Sequence, residues 1–454
     1  MRKMTGHLRT AASPAARGAP RYAAAAARTA RTGGGLIFLA MLFWMFFYQN
    51  LPDNLMGMAA NGEYSSSNVT DRVVKVVMLV FSIYVILSKW SVTRAVGRNF
   101  NAGSAALLSL CLLSAVWSFD PNSTLLRFVS LLTVFLVSFA ITVSGWHARR
   151  FQQVALPPLM LILLASLAMG AVDPKSMMEI GTDLSQLNAW HGITHGKNEF
   201  GMMASIAAII CANLWLARER RAFWPIAGTA VSFLCLILSR SNASLFATLL
   251  AMMFMVMVMR VPTIRERFST HVAVGLTLTI LLYELAIQDV VPGTHTLISP
   301  IMHLTGKDAT FSGRTFIWNI VKDHINYAPY LGSGYGAYWL GPVPGSPSYI
   351  FMPVMYFYPS EAHNGYLDIV NDLGLVGLGC VLVFIFWYIR QALLLMRSDR
   401  SQGALYLGLL LQQMVVNMSE SEWISRGSTS DVMILASICL SRSLLDTQLA
   451  RRSR

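Results

Sequence analysis

Length, composition and charge exclude an ordinary soluble enzyme. The chain has 454 residues, of which 55% are hydrophobic and 13% charged, with a formal net charge of +13. A soluble domain carries about 25% charged residues, and a disordered chain would be more polar. The apolar residues form blocks long enough to cross a bilayer, so the sequence predicts an all-α polytopic membrane protein.

Twelve apolar segments are predicted to be transmembrane helices, which would place both termini on one side of the membrane. They lie near residues 35–52, 73–89, 103–119, 124–145, 154–172, 199–217, 222–239, 243–259, 271–288, 364–391, 402–419 and 431–446.

The basic residues predict which side each loop occupies. The two tails, alternate loops and the end of the last helix hold 25 of the 35 lysines and arginines, and the positive-inside rule assigns them to the cytoplasm. The loops 173–198 and 289–363 are then periplasmic. Residues 1–34, which contain no acidic residue, are predicted to be a disordered basic cytoplasmic tail, with an organelle transit peptide as the alternative.

No metal site is predicted. The five cysteines all fall in apolar segments without CxxC spacing, which is typical of buried thiols. His191 and His195 have the i,i+4 spacing of a metal pair, but Gly192 and Gly196 disfavour a regular helix there and no third ligand is evident. The favoured interpretation of this segment is a polar loop.

Two arginines stand out at the predicted external surface. Arg240 lies in a very short turn between two spans, where a charged side chain is expected to face a cavity, a partner or a ligand. Snorkelling to lipid headgroups is the alternative. Arg314 begins an amphipathic helix in the loop 289–363, where free backbone N–H groups and a guanidinium would bind an anion. A surface arginine without function is the alternative.

Polar residues before the sixth span supply further groups at the same surface. The segment 190–201, WHGITHGKNEFG, is predicted to line a polar pocket. Its candidate residues are His195, Lys197, Asn198 and Glu199.

Acid/base candidates surround the entrance of the tenth span. His363 could act as a general base or a hydrogen-bond donor near neutral pH, or as an interfacial histidine without a role. Glu361 and Asn364 are its sequence neighbours, and Glu420 lies at the outer end of the eleventh span. Together with the arginines, these residues predict a site for an anionic, lipid-linked ligand.

Four motifs, in this order, resemble those of the O-antigen ligase and Wzy-type polymerase superfamily, and together they cover about residues 187–386. They are GITHGKNEFG (192–201), LSRS (238–241), SGRTFIW followed by PYLGSGYGAYW (329–339), and the HN-x9-GxxG pattern from His363 to Gly377. With HNGYLD and NMSESEW, the chain looks closest to bacterial exopolysaccharide polymerases.

The resemblance implies a GT-C-like glycosyltransferase with about twelve transmembrane helices. It would act at the periplasmic face of the bacterial inner membrane on a glycan carried by undecaprenyl diphosphate, with inversion and without metal or cofactor. By resemblance, Arg240 and Arg314 bind the diphosphate, and Lys197 is a further cation available for it. His363 would orient or deprotonate the acceptor. Glu199, Glu361 and Glu420 remain candidate bases, and His195, Asn198 and Asn364 would line the substrate site.

A polysaccharide polymerase is the favoured function, with a ligase and a twelve-helix transporter or flippase as alternatives. Membrane lipid and the lipid-linked glycan are the predicted partners, a chain-length regulator and export proteins are further candidates, and nucleic acid is not expected. The predicted organisation is a tail (1–34), N-terminal transmembrane helices (35–186), a catalytic region that includes the periplasmic loop 289–363 (187–386), and C-terminal helices with a tail (387–454).

Overall fold

The computed structural model describes residues 34–49, 69–144, 151–179, 188–218, 222–288, 314–424 and 428–452. Within these ranges the regular secondary structure is helical, with no β-strand. The predicted all-α fold class is therefore confirmed. The basic tail up to residue 33 and residues 289–313 of the predicted periplasmic loop lie outside the described residues.

Fifteen α-helices are described. They are α1 (Gly34–Phe43, continued by the π-helical turn Trp44–Tyr48), α2 (Val69–Ser88), α3 (Trp90–Gly97), α4 (Ala102–Leu113), α5 (Pro121–Ser144), α6 (Phe151–Val172), α7 (Lys197–Ala217), α8 (Phe223–Leu238), α9 (Asn242–Arg260), α10 (Ser269–Ile287), α11 (Arg314–Ile325), α12 (Phe351–Met355), α13 (Gly365–Met396), α14 (Arg400–Val416) and α15 (Ser428–Arg452).

Seven of the described helices are long and apolar enough to cross a membrane, which confirms a polytopic protein. They are α5, α6, α7, α9, α10 with the turn before it, α13 and α15. The pair α2 and α3, bent by 93°, would make an eighth span. Each of the twelve predicted segments coincides with a described helix, but several of these helices are short, so twelve membrane crossings remain a prediction.

Helix α7 lies at the centre of the bundle. It packs against α8, α9 and α14, and 89% of its most apolar stretch is buried, compared with 28% for the span that contains α10. Small residues such as Gly201, Ala204 and Ala208 allow neighbouring helices to approach closely. A helix that is apolar on all sides belongs in the interior of a bundle. The central position of α7 therefore determines where its polar first turn lies.

The two ends of the bundle carry different loops. At one end α7, α9 and α13 begin, whereas α8, α10 and α14 end there. At the other end the arginine-rich loops cross-link the helices, since Arg260 donates to the carbonyl of Leu216 and Arg400 donates to that of Val258. The candidate site residues thus lie opposite the arginine-rich loops.

Candidate active site

Arg314 and Glu420 form an ion pair at the end of the bundle away from the arginine-rich loops. Arg314, the first residue of α11, donates from Nη2 to Glu420 Oε1 at 2.9 Å and from Nη1 to the carbonyl of Ser419. Asn198, in the first turn of α7, donates to the same Glu420 oxygen at 2.8 Å. Three elements that are distant in sequence therefore meet at one carboxylate.

His363 joins this carboxylate to a second one. Its Nδ1 lies 2.8 Å from Glu361 Oε1 and 3.4 Å from Glu420 Oε2. Burial lowers the pKa of His363, but the hydrogen bonds and negative charges of Glu361 and Glu420 outweigh this effect and raise the pKa to about 10. The imidazole is therefore a cation at neutral pH, which is not the protonation state of a general base.

Glu420 is ionised in the same network. Burial alone would raise the pKa of Glu420, but hydrogen bonds and positive charges from His363 and Arg314 outweigh it and lower the pKa. We call Arg314, Glu420, His363 and Glu361 the charge network. It contains two cations and two carboxylates within one hydrogen-bonded chain, with Asn198 attached at Glu420.

The backbone before α13 explains the position of His363. His363 adopts a left-handed conformation with φ 51°. The next residue, Asn364, caps α13 by accepting from the backbone N–H groups of Tyr366 and Leu367, and it donates to Glu284 at 2.8 Å. Asn364 is fully buried, so its predicted contact with substrate remains a prediction while its capping role is evident.

The first turn of α7 lies against the turn that carries Arg240. A Cβ at Gly201 would come within 2.7 Å of Ser241 Cβ. Arg240 is exposed, with a left-handed φ of 51°. Asn198, one helical turn before Gly201, connects this region to the charge network.

The remaining predicted residues hold the loop before α7 in place. The backbone N–H of His195 donates to Glu199 Oε2 at 3.0 Å, and its Nε2 lies 3.3 Å from the carbonyl of Gln49. The backbone N–H of Lys197 donates to Glu179 at 2.8 Å. Their predicted contacts with substrate remain predictions.

Three residues of the charge network have side chains of the types that bind metal ions. Ligand atoms of Glu361, His363 and Glu420 lie within 4.8 Å of one another, and this is the one such group in the described part of the chain. It does not include His191 or His195. However, Glu420 Oε1 already accepts from Arg314 and Asn198, and a cation beside the carboxylate opposes the binding of a metal ion. The predicted absence of a metal remains a prediction.

A cavity of about 290 Å³ adjoins the charge network at Glu361 and reveals residues that were not among the predicted site residues. Its lining includes Arg127 from α5, and Asp368 and Asp372 from α13. Arg127 donates to the carbonyls of Gly336 and Trp339. An arginine inside a predicted span is the signal by which the sequence could have identified it.

Comparison with known proteins points to the same part of the chain as the geometry. Residues 227–382 match the family model of the O-antigen ligase domain. This segment is therefore similar to the O-antigen ligase family. The matched range includes Arg240, Arg314, Glu361 and His363, whereas Glu420 lies outside it. The family recognised from the sequence motifs is confirmed.

A curated relative extends the similarity. The chain is 26% identical over 224 residues to the exopolysaccharide production protein ExoQ of Rhizobium meliloti (strain 1021). The aligned region covers 48% of this chain and 50% of that protein, so the chain spans about half the length of the relative it matches.

Proposed function

We propose that the protein is a polysaccharide polymerase of the inner membrane, which joins oligosaccharide repeats carried on undecaprenyl diphosphate at the periplasmic face. The observation that carries this proposal is the charge network of Arg314, Glu420, His363 and Glu361. It combines cations that can bind a diphosphate with carboxylates that can accept a proton from a hydroxyl group. It also lies opposite the arginine-rich loops.

The proposed reaction is a single displacement that inverts the anomeric centre. The acceptor hydroxyl oxygen attacks the anomeric carbon of the donor, the bond from that carbon to the phosphate oxygen breaks, and the diphosphate leaves with the electron pair. Arg314, Arg240 and Lys197 would bind the diphosphate as its charge increases. An arginine suits this role because its planar fork can donate two parallel hydrogen bonds to one phosphate.

Because of its raised pKa, the proposed role of His363 is that of a cation and not that of the proton acceptor suggested by the sequence. As a cation, it would stabilise the leaving diphosphate together with Arg314. Glu361, hydrogen-bonded to His363 and lining the adjacent cavity, would accept the acceptor's proton. Glu420, held by Arg314 and Asn198, would orient His363.

Transfer to a different acceptor is the second candidate function, because the matching family model is that of an O-antigen ligase. The similarity to an exopolysaccharide production protein favours polymerisation instead. Glycan analysis of a deletion strain distinguishes them. Single repeats that accumulate on the lipid carrier would indicate a polymerase, and full-length unattached polymer a ligase. Repeats confined to the cytoplasmic side would indicate a flippase and overturn both proposals.

A further inference from the structure

A groove of about 550 Å³ lies between α10 and the second half of α13. Helix α10 belongs to the least buried of the seven candidate spans, at 28%, so the groove opens at the periphery of the bundle. Its volume is within the roughly 300–1,000 Å³ typical of small-molecule sites. The described lining of the groove shares no residue with the charge network, and a ligand there would be separate from the proposed reaction.

The walls of the groove are apolar over most of their length. Helix α10 contributes Val274 and Leu278, and α13 contributes a stretch from Leu382 to Leu394. At a rise of about 1.5 Å per residue, this stretch of α13 is about 18 Å long. The hydrocarbon of one leaflet is about 15 Å thick. The groove therefore has the length and the chemistry to hold a lipid acyl chain whose headgroup lies at one end of it.

Two arginines lie at the end of the groove nearest the arginine-rich loops. Arg390 and Arg397 both line the groove and both are exposed. The guanidinium of Arg390 lies 5.4 Å from the ring centroid of Trp387, and the described lining contains no carboxylate. The two arginines are on one face of α13, about 10 Å apart along its axis. A phosphate between them can therefore accept hydrogen bonds from both.

The charge of the lining favours one class of lipid. Two cations without a carboxylate attract an anionic headgroup and repel the ammonium group of a zwitterionic one. Basic pockets between transmembrane helices are typical sites for anionic lipid headgroups. The polyprenyl carrier also joins a phosphate to an apolar chain, but its proposed reaction takes place at the charge network, at the opposite end of the bundle. A phospholipid is therefore the better match to the groove.

We propose that this groove binds one anionic phospholipid of the phosphatidylglycerol type, with its phosphate between Arg390 and Arg397 and an acyl chain along residues 382–394. The bound lipid would bridge α10 and α13. Because it would bind the folded chain and not the unfolded one, added phosphatidylglycerol should raise the unfolding temperature.

Native mass spectrometry of the full chain in detergent tests the proposal. The probes are phosphatidylglycerol, phosphatidylethanolamine with the same acyl chains, and undecaprenyl phosphate. Phosphatidylglycerol should bind most tightly of the three. The double variant Arg390→Gln/Arg397→Gln should lose about 30-fold of this affinity, since each arginine near a membrane surface contributes about fivefold to the attraction of anionic lipid.

The double variant Arg94→Gln/Arg98→Gln is the matched control for charge. Arg94 lies 5.4 Å from the ring centroid of Trp90, and both arginines are exposed and do not line the groove. This variant also removes two cations and one contact with an aromatic ring, but it should bind phosphatidylglycerol like the wild type. Equal affinities in the two double variants would overturn the proposal.

A second pair of variants tests the apolar part of the groove without a change in charge. Leu278 and Leu282 lie one turn apart on α10 and are 53% and 64% exposed, but Leu282 does not line the groove. Leu278→Trp should fill the groove and lower the affinity, whereas Leu282→Trp should not. Unchanged binding in Leu278→Trp, or tighter binding of either other lipid, would overturn the phospholipid site. None of these measurements depends on transferase activity, so the proposed function stands or fails separately.

Discussion

His363 is held between two carboxylates in a backbone conformation that most residues avoid. It and Arg240 are two of the five non-glycine residues with positive φ in the described part of the chain. Such conformations cost about 1–3 kcal/mol each and persist where the surrounding structure enforces them, often at functional sites. The cap by Asn364 and the ion pairs of His363 supply that enforcement.

The first prediction concerns pH. Because the pKa of His363 is raised to about 10, turnover should stay level through neutral pH and fall as pH approaches 10. The charged histidine should also add stability that is complete below the unfolded pKa of about 6.5 and is lost as pH rises through about 10. Rate–pH profiles and unfolding curves of wild type and His363→Gln measure both effects.

Two outcomes would contradict the cationic role of His363. One is a rate that increases with an apparent pKa near 6.5, as expected for a neutral imidazole base. The other is a His363→Gln variant that retains the alkaline decline, since the decline would then belong to another group.

The second prediction concerns the cation of α11. Arg314→Gln should lower kcat/KM on the order of 10²-fold, because a charge-assisted contact to the leaving diphosphate is lost. Arg314→Lys should recover only part of this, since an ammonium lacks the planar fork. Polymer length in cells and turnover of purified protein are the measurements. Arg265→Gln, at the opposite end in an exposed pair with Glu266, is the control, and normal polymer from Arg314→Gln would exclude the diphosphate role.

The third prediction concerns the Glu361, His363 and Glu420 group. Since Arg314 already neutralises Glu420, the wild-type protein should keep its activity after treatment with EDTA and removal of free metal. A loss that Mg²⁺, Mn²⁺ or Zn²⁺ restores would show instead that these three residues hold an ion.

At the level of elements, α13 explains the HN-x9-GxxG pattern physically. Asn364 caps the helix, and Gly374 interrupts it with φ 65° and ψ −167°. A Cβ at Gly374 would lie 2.1 Å from the carbonyl carbon of Tyr330. The interruption thus admits the glycine-rich turn after α11, and the N–H of Leu375 donates to the carbonyl of Pro329 at 2.9 Å.

The fourth prediction tests this interruption. Gly374→Ala introduces both a strained φ and a backbone clash, and together these should destabilise the protein by about 2–4 kcal/mol. Gly379→Ala on the same helix is the matched control, because nothing lies within 4 Å of its added Cβ and it has a helical backbone. Thermal unfolding should separate the two variants by several degrees. Equal stability would mean that the turn does not depend on Gly374.

The sequence predicted the helices better than it predicted the contacts between the candidate residues. Apolar segments located twelve of the described helices, but α3 and α12 were not predicted. The charged residues at helix ends were predicted as site candidates, and Arg314 and His363 both contact Glu420. Neither pattern could show that Glu420, 57 residues after His363, contacts it. The charge of His363 depends on that contact, so it emerges only from tertiary packing. The contact of Arg127 likewise emerges only from tertiary packing, because its partner Gly336 lies 209 residues away.

At the scale of the whole molecule, the candidate site residues lie at one end and the arginine-rich loops lie at the other. Arg260 and Arg400 bind backbone carbonyls at the arginine-rich end, whereas Arg314 and His363 lie at the opposite end with Glu361 and Glu420. The separation fits the charge asymmetry of a membrane protein whose cytoplasmic loops are basic. The side of the membrane on which the charge network lies can be measured directly.

The fifth prediction is that a membrane-impermeant maleimide labels the site end from the periplasm. Ser360 and Ser398 are both exposed, Ser360 beside the charge network and Ser398 at the arginine-rich end. Cys111, Cys211, Cys235 and Cys439 are buried, so a Cys380→Ala background should react little. In intact cells with a permeable outer membrane, Ser360→Cys should be labelled and Ser398→Cys should not. After lysis both should react, and the reverse pattern in intact cells would place the candidate site in the cytoplasm, where a periplasmic polymerase cannot operate.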